Sequence, residues 1–126
     1  MQVQVFRAWN DLGLDAVVCP PHATPALPHG ASRDFTLGGS VAMRFNILNL
    51  PSGVVPVTRV RPDETVRPDP KGSLARRAAD VDRGSDGLPV GVQVVARPYR
   101  EDVALALMKA IESRVKGDAD FPRVGL

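Results

Sequence analysis

Cysteine, lysine, histidine and aromatic side chains are all scarce in this 126-residue sequence. Cys19 is the only cysteine, which excludes an intrachain disulfide and agrees with a reducing compartment. Aromatic residues make up 5% of the chain, so any core is aliphatic, built mostly from Val, Leu and Ala. No apolar run approaches the roughly 20 residues that span a bilayer. The stretch from Met1 to Asn10 has no apolar h-region and no small-residue cleavage site, so no signal peptide is read there. The expectation is a soluble cytoplasmic protein. A net charge of +2 gives no reason to expect nucleic acid as a partner. What the chain has in quantity is Gly and Pro, 11 and 12 copies, the mark of many turns and short elements. With 44% hydrophobic and 24% charged residues, it has the composition of one globular domain.

Val5, Phe6, Trp9 and Leu12 fall at helical spacing, and Gly13 is placed to end that helix. Asp15–Cys19 is short and apolar on both faces, which reads as a buried strand of the kind found in parallel sheets. A turn-rich loop with four prolines and both histidines follows, from Pro20 to Gly30. A second helix is expected from about Phe35 to Leu48, capped by Asp34 or Thr36. Leu37, Val41, Ile47 and Leu48 form much of its stripe, and Gly38-Gly39 weakens its first turn. A second strand spans Val54 to Val60, where Pro56 requires an edge, a bulge or a strand end. Residues 61–87 turn polar and read as a solvated loop excursion with a short helix near Leu74 to Val81. The third strand is Leu88 to Ala96. The last helix, Glu101 to Val115, has acids at its first turn and Arg114 and Lys116 at its end. Val103, Ala104, Leu107, Met108 and Ile111 form its apolar face, and the tail from Asp118 reads as loose. Apolar strands alternating with amphipathic helices give an α/β layer, and the strands are too few for a complete doubly covered sheet.

No complete catalytic constellation is visible. Ser40 follows Gly38-Gly39 but stands inside a helical pattern rather than in the strand-to-helix frame of a nucleophile elbow. Lys71, Lys109 and Lys116 are the only lysines, and none sits where a desolvated general base is expected. Cys19, His22, His29 and Asp34 are ligand types within a short stretch, yet their spacing matches no recurrent zinc pattern, so no metal site is assigned. Arg59, Arg61, Arg67, Arg76, Arg77 and Arg83 are interleaved with acids and lack neighbouring aromatics, which fits a mixed-charge surface better than a nucleic-acid patch.

Three segments carry a resemblance. Leu14–Pro21, Phe45–Val57 with its Leu50-Pro51-Ser52-Gly53 and Val55-Pro56-Val57 steps, and Gly87–Pro98 running into Glu101-Asp102 are similar, in this order, to the C-terminal third of amidase-signature enzymes. The likeness is to their fatty-acid-amide-hydrolase-like branch. The resemblance implies a fold in which a large mixed sheet lies between helices. Residues 1–126 would then be the C-terminal segment of an amidase domain, with 61–87 as its polar excursion. It implies hydrolysis of carbon–nitrogen amide bonds by two serines and a lysine in an earlier part of the family's chain, with no cofactor. Gly38-Gly39-Ser40 aligns with a different part, so no catalytic role passes to Ser40, and this chain alone is expected to be inactive.

The resemblance further implies that Thr36, Gly39 and Met43 form a wall of the acyl pocket. Their spacing of three and four puts them on one helical face, which would equally serve packing against the sheet. The expected partners are a small amide substrate, in the context of the full-length enzyme, and the N-terminal part of the amidase. The competing expectation is a non-catalytic binding module that uses the sheet edge or the helix start near Gly38.

Overall fold

Helices and strands alternate along residues 2–123, the part of the chain that the computed structural model describes. The elements are α1 (Gln2–Asp11), β1 (Ala16–Cys19), α2 (Ser40–Ile47), β2 (Ser52–Arg59), α3 (Gly72–Asp82), β3 (Pro89–Ala96) and α4 (Glu101–Val115). Short 3-10 turns occupy Ala31–Asp34, Thr36–Gly39 and Pro62–Glu64. The α/β class stands. The parallel-sheet reading of Asp15–Cys19 does not, because β3 lies between β1 and β2 and pairs antiparallel with both. The buried-strand reading fails as well, since no residue of Ala16–Cys19 is fully buried and Val18 is 49% exposed; an apolar run fixes neither the direction of a strand nor the cover on its faces.

The register sorts the side chains onto two faces. Val17, Val95 and Ser52 form one row, and Cys19, Gln93 and Val54 the next. Trp9 of α1, Phe45 of α2, and Leu48 and Leu50 beyond α2 close over Val95 on this face. Val18, Val94 and Gly53 form a row on the opposite face, where α4 packs. There Ala104, Val103, Leu107, Met108 and Ile111 meet Val94 and Ala96, the face that the spacing in α4 predicts. Val94, Val95 and Ala96 are fully buried, and each such valine stabilises the fold by about 1.5–3 kcal/mol relative to an exposed one. Pro56 is accommodated twice over. β2 is an outer strand, and its pairing with β3 is irregular between Pro56 and Thr58, so the missing N–H breaks no regular ladder.

Two helix ends use the same device. Gly13 sits at φ 62°, its N–H reaching Asn10 O while Leu14 N–H reaches back to Trp9 O. Asn49, at φ 54°, repeats this after α2, with its own N–H on Asn46 O and Leu50 N–H on Phe45 O. Both are Schellman closures, and Asn is the non-glycine residue best suited to that position.

The α2 region departs from expectation in its first turn. Thr36–Gly39 is a 3-10 turn, so the α-helical phase starts only at Ser40. The apolar face becomes Val41, Phe45 and Leu48, while Leu37 and Ile47 are 59% and 64% exposed. Neither predicted cap acts: Thr36 Oγ1 donates to Ser32 O, and Asp34 pairs with Arg77 at 3.7 Å. Leu12, assigned to the buried stripe of α1, is exposed.

The polar stretch 61–87 contains more order than its composition indicates. α3 is a full helix that buries Ala78, Ala79, Val81 and Asp82. Asp82 accepts from Arg67 Nε at 2.8 Å, and Arg67 Nη2 also donates to Ala23 O at 3.2 Å, which ties this stretch to the proline-rich loop. Asp118 to Arg123 is not loose either. Arg61 donates to Asp120 at 2.8 and 3.0 Å, and Pro122 is buried. Residues 124–126, the end of that tail, lie outside the described part.

Candidate functional site

The loop from Pro20 to Leu27 stands over the Val54 and Gly91 part of the sheet and encloses a cleft of about 610 Å³. The strand β1 delivers this loop, and Pro20-Pro21 stops the strand because two successive residues offer no N–H to the ladder. Its walls are mostly apolar, and the side chain that stands out chemically is His22. Thr24 N–H donates to His22 Nδ1 at 3.2 Å, which leaves the proton of the neutral ring on Nε2. Thr24 Oγ1 lies 3.1 Å from the same nitrogen and donates to Pro25 O at 3.1 Å.

The other edge of the ring rests on the 3-10 turn that precedes α2. A Cβ placed on Gly38 would lie 2.6 Å from His22 Cε1 and 2.7 Å from Nε2, so only glycine lets the imidazole sit there. At Gly39 the corresponding approach, to His22 Cδ2, is an ordinary 3.6 Å. Ala23 N–H donates to Gly38 O at 2.9 Å, and the buried Phe35 ring meets the imidazole edge-on, with centroids 5.5 Å apart. The segment that carries Thr36, Gly39 and Met43 is thus joined to the cleft loop through His22 and Ala23.

Of those three residues, Thr36 is exposed, Gly39 is half-buried beside His22, and Met43 is 40% exposed on α2. The fold brings Gly39 to the cleft loop; Thr36 and Met43 face outward. Ser40 is an exposed residue at the start of α2. Lys71 is exposed and pairs with Asp69 at 3.1 Å, and Lys109 and Lys116 are exposed on and after α4.

Cys19, His22, His29 and Asp34 do not converge. Among the described residues no group of three or more His, Cys, Asp or Glu side chains is placed to hold a metal ion. Burial pushes the Cys19 thiol up, with the charge of Arg44 pulling partly the other way, so it is less reactive than a free thiol. Arginines of the polar stretch are matched with acids: Arg61 with Asp120 and Glu64, Arg67 with Asp82, Arg77 with Asp34, and Arg83 with Asp80. No described helix is long and apolar enough to cross a membrane.

The contact between His22 and Gly38 is absent from the sequence reading, which weighs His22 as a metal ligand. The available signal was the pair Gly38-Gly39, since adjacent glycines at a helix start point to a close approach by some other group.

The amidase family model matches residues 1–105 of this chain. Fatty acid amide hydrolase 1 of Caenorhabditis elegans is 35% identical over 111 residues, covering 82% of this chain and 19% of that protein. Fatty-acid amide hydrolase 1 of Sus scrofa is 37% identical over 113 residues, covering 86% and 19%. An amidase of Gibberella moniliformis (strain M3125 / FGSC 7600) is 26% identical over 110 residues, covering 87% and 18%. The chain therefore spans under a fifth of the length of these relatives. The match runs through the strands, the proline-walled loop and the start of α4, and the chain belongs to the amidase family.

Proposed function

We propose that this chain is the C-terminal segment of an amide hydrolase acting on fatty acyl amides, and that it supplies sheet core and one wall of the acyl pocket. The observation that carries this reading is the pairing of extents. Two fatty acid amide hydrolases align with 82% and 86% of the chain, while the chain accounts for 19% of each. Thr36, Gly39 and Met43 form the wall in this reading, and the two serines and the lysine come from sequence outside this chain. Residues 61–87 are an excursion within the same domain.

The surface supports the same view. Val18 and Val54, on the two outer strands, are 49% and 52% exposed, although both stand in rows whose β3 member is buried. Trp9 Nε1 and Gln93 Oε1 are buried without a hydrogen-bond partner among the described residues.

The test is complementation of the Sus scrofa relative from which the matching segment has been removed. Added in trans, this chain restores hydrolysis of a long-chain acyl amide. Restoration by the relative's own segment and none by this chain would overturn the reading.

A further inference from the structure

His22 belongs to neither the proposed wall nor the expected catalytic groups, yet it is the side chain on which the two halves of the candidate site meet. Its Nδ1 edge is held by Thr24 within the cleft loop. Its Cε1–Nε2 edge fills the space where Gly38 lacks a side chain, and Phe35 closes the third side at 5.5 Å. The wall segment begins at this contact: Thr36 and Gly39 flank it in the 3-10 turn, and Met43 follows one helical turn later in α2.

We propose that His22 is a positioning residue that sets the distance between the Pro20–Leu27 loop and the Thr36–Met43 wall, and thereby the length of acyl group accepted. The inference rests on the reading of Thr36, Gly39 and Met43 as a pocket wall. Its physical basis is that the imidazole acts as a spacer of fixed thickness. One edge is anchored by a backbone N–H, and the opposite edge lies against a backbone with no Cβ to cushion it. The hydrogen bond from Ala23 N–H to Gly38 O beside it keeps the two segments from sliding, so a change in the spacer changes their separation. A shorter side chain at position 22 lets the wall collapse toward the loop. A Cβ at position 38 pushes it away.

The joint is tested in the chain itself by limited digestion with trypsin, read by mass spectrometry at Arg33 and Arg44, which flank the turn, and at Arg114 in α4 as an internal reference. His22→Ala and Gly38→Ala each raise cleavage at Arg33 and Arg44 several-fold relative to Arg114. The double variant is no more sensitive than either single one, because both remove the same contact. Additive effects, or no change at Arg33 and Arg44, overturn the joint.

Its function is read in the Sus scrofa relative complemented by this chain. His22→Ala changes KM for long-chain acyl amides several-fold, leaving kcat and the KM of short-chain amides unchanged. An equal effect on long and short substrates overturns the positioning role. Met43→Ala tests the wall separately. If it leaves the acyl-length preference untouched while His22→Ala still raises cleavage at Arg33 and Arg44, the wall reading fails and the joint stands.

Discussion

The guanidinium of Arg97 donates to the carbonyl of Leu14 from Nε at 3.0 Å and from Nη2 at 2.8 Å. The same group reaches Trp9 O and the side-chain oxygen of Asn10, so one residue at the end of β3 caps the C-terminal carbonyls of α1 and the turn beyond it. A cation is favoured there by the helix dipole, and the planar fork is needed to serve several carbonyls at once. Arg97→Ala is expected to destabilise the chain by about 1.5–3 kcal/mol, the range for hydrogen bonds to a charged group. Arg97→Lys should recover less than half of it. Urea unfolding followed by the fluorescence of Trp9, the only tryptophan, measures both.

Gly53 and Gly91 lie on neighbouring strands and should respond differently to the same substitution. A Cβ on Gly53 meets Sδ and Cε of Met108, the movable end of a flexible side chain. A Cβ on Gly91 meets the Val55 carbonyl oxygen at 2.8 Å, where the backbone must shift. Gly53→Ala is expected to cost under about 1 kcal/mol and Gly91→Ala about 1–3 kcal/mol. Equal shifts of the denaturation midpoint would count against this description of the β2–β3 pairing.

Asp82 is 8% exposed and receives Arg67 at 2.8 Å. Arg67→Ala leaves a buried carboxylate without its partner, and the expected loss is about 2–4 kcal/mol, tempered by the partial exposure of Arg67. Replacing both residues should be less harmful than the sum of the single changes. A double-mutant cycle with a coupling near zero would remove this pair as the anchor of α3.

Arg100 hydrogen-bonds to both carboxylate oxygens of Asp102, at 2.9 and 3.1 Å, and holds that carboxyl below the ordinary aspartate range. The folded-state pKa is depressed. Its contribution is therefore present above the unfolded value of about 3.9 and is lost as pH falls through the folded pKa. Both side chains are exposed, so the effect on stability is small, and the shift itself is the better readout. An NMR titration of the Asp102 carboxyl should give a midpoint below that of an ordinary aspartate, rising in Arg100→Ala. A midpoint that does not move in Arg100→Ala contradicts the pairing.

What was legible in the sequence follows from how local each signal is. α4 could be read in full because its apolar spacing and its terminal charges agree, and both act within one helix. β3 was legible as a buried run, but its antiparallel pairing was not, since direction is settled by partners elsewhere in the chain. The first turn of α2 was misphased because Gly38-Gly39 permits a 3-10 turn that rotates Leu37 outward. The order in residues 61–87 was underestimated because it depends on Arg67 meeting Asp82 and Ala23, contacts that composition does not encode. For Thr36, Gly39 and Met43 the spacing predicts one helical face, but the 3-10 turn breaks that phase, with Gly39 beside His22 and Thr36 and Met43 exposed; a use for the three comes only from the family resemblance. His22 was invisible as a joint because its role depends on the absence of a Cβ at Gly38.

The central claim is that this chain is one part of an amide hydrolase and that the bond-breaking groups lie in the rest of it. The most direct measurement is the rate at which the purified chain hydrolyses a long-chain acyl amide, with Ser40→Ala run beside it. The account predicts no turnover above the buffer rate for either protein. Enzymatic turnover by the chain that disappears in Ser40→Ala would contradict it.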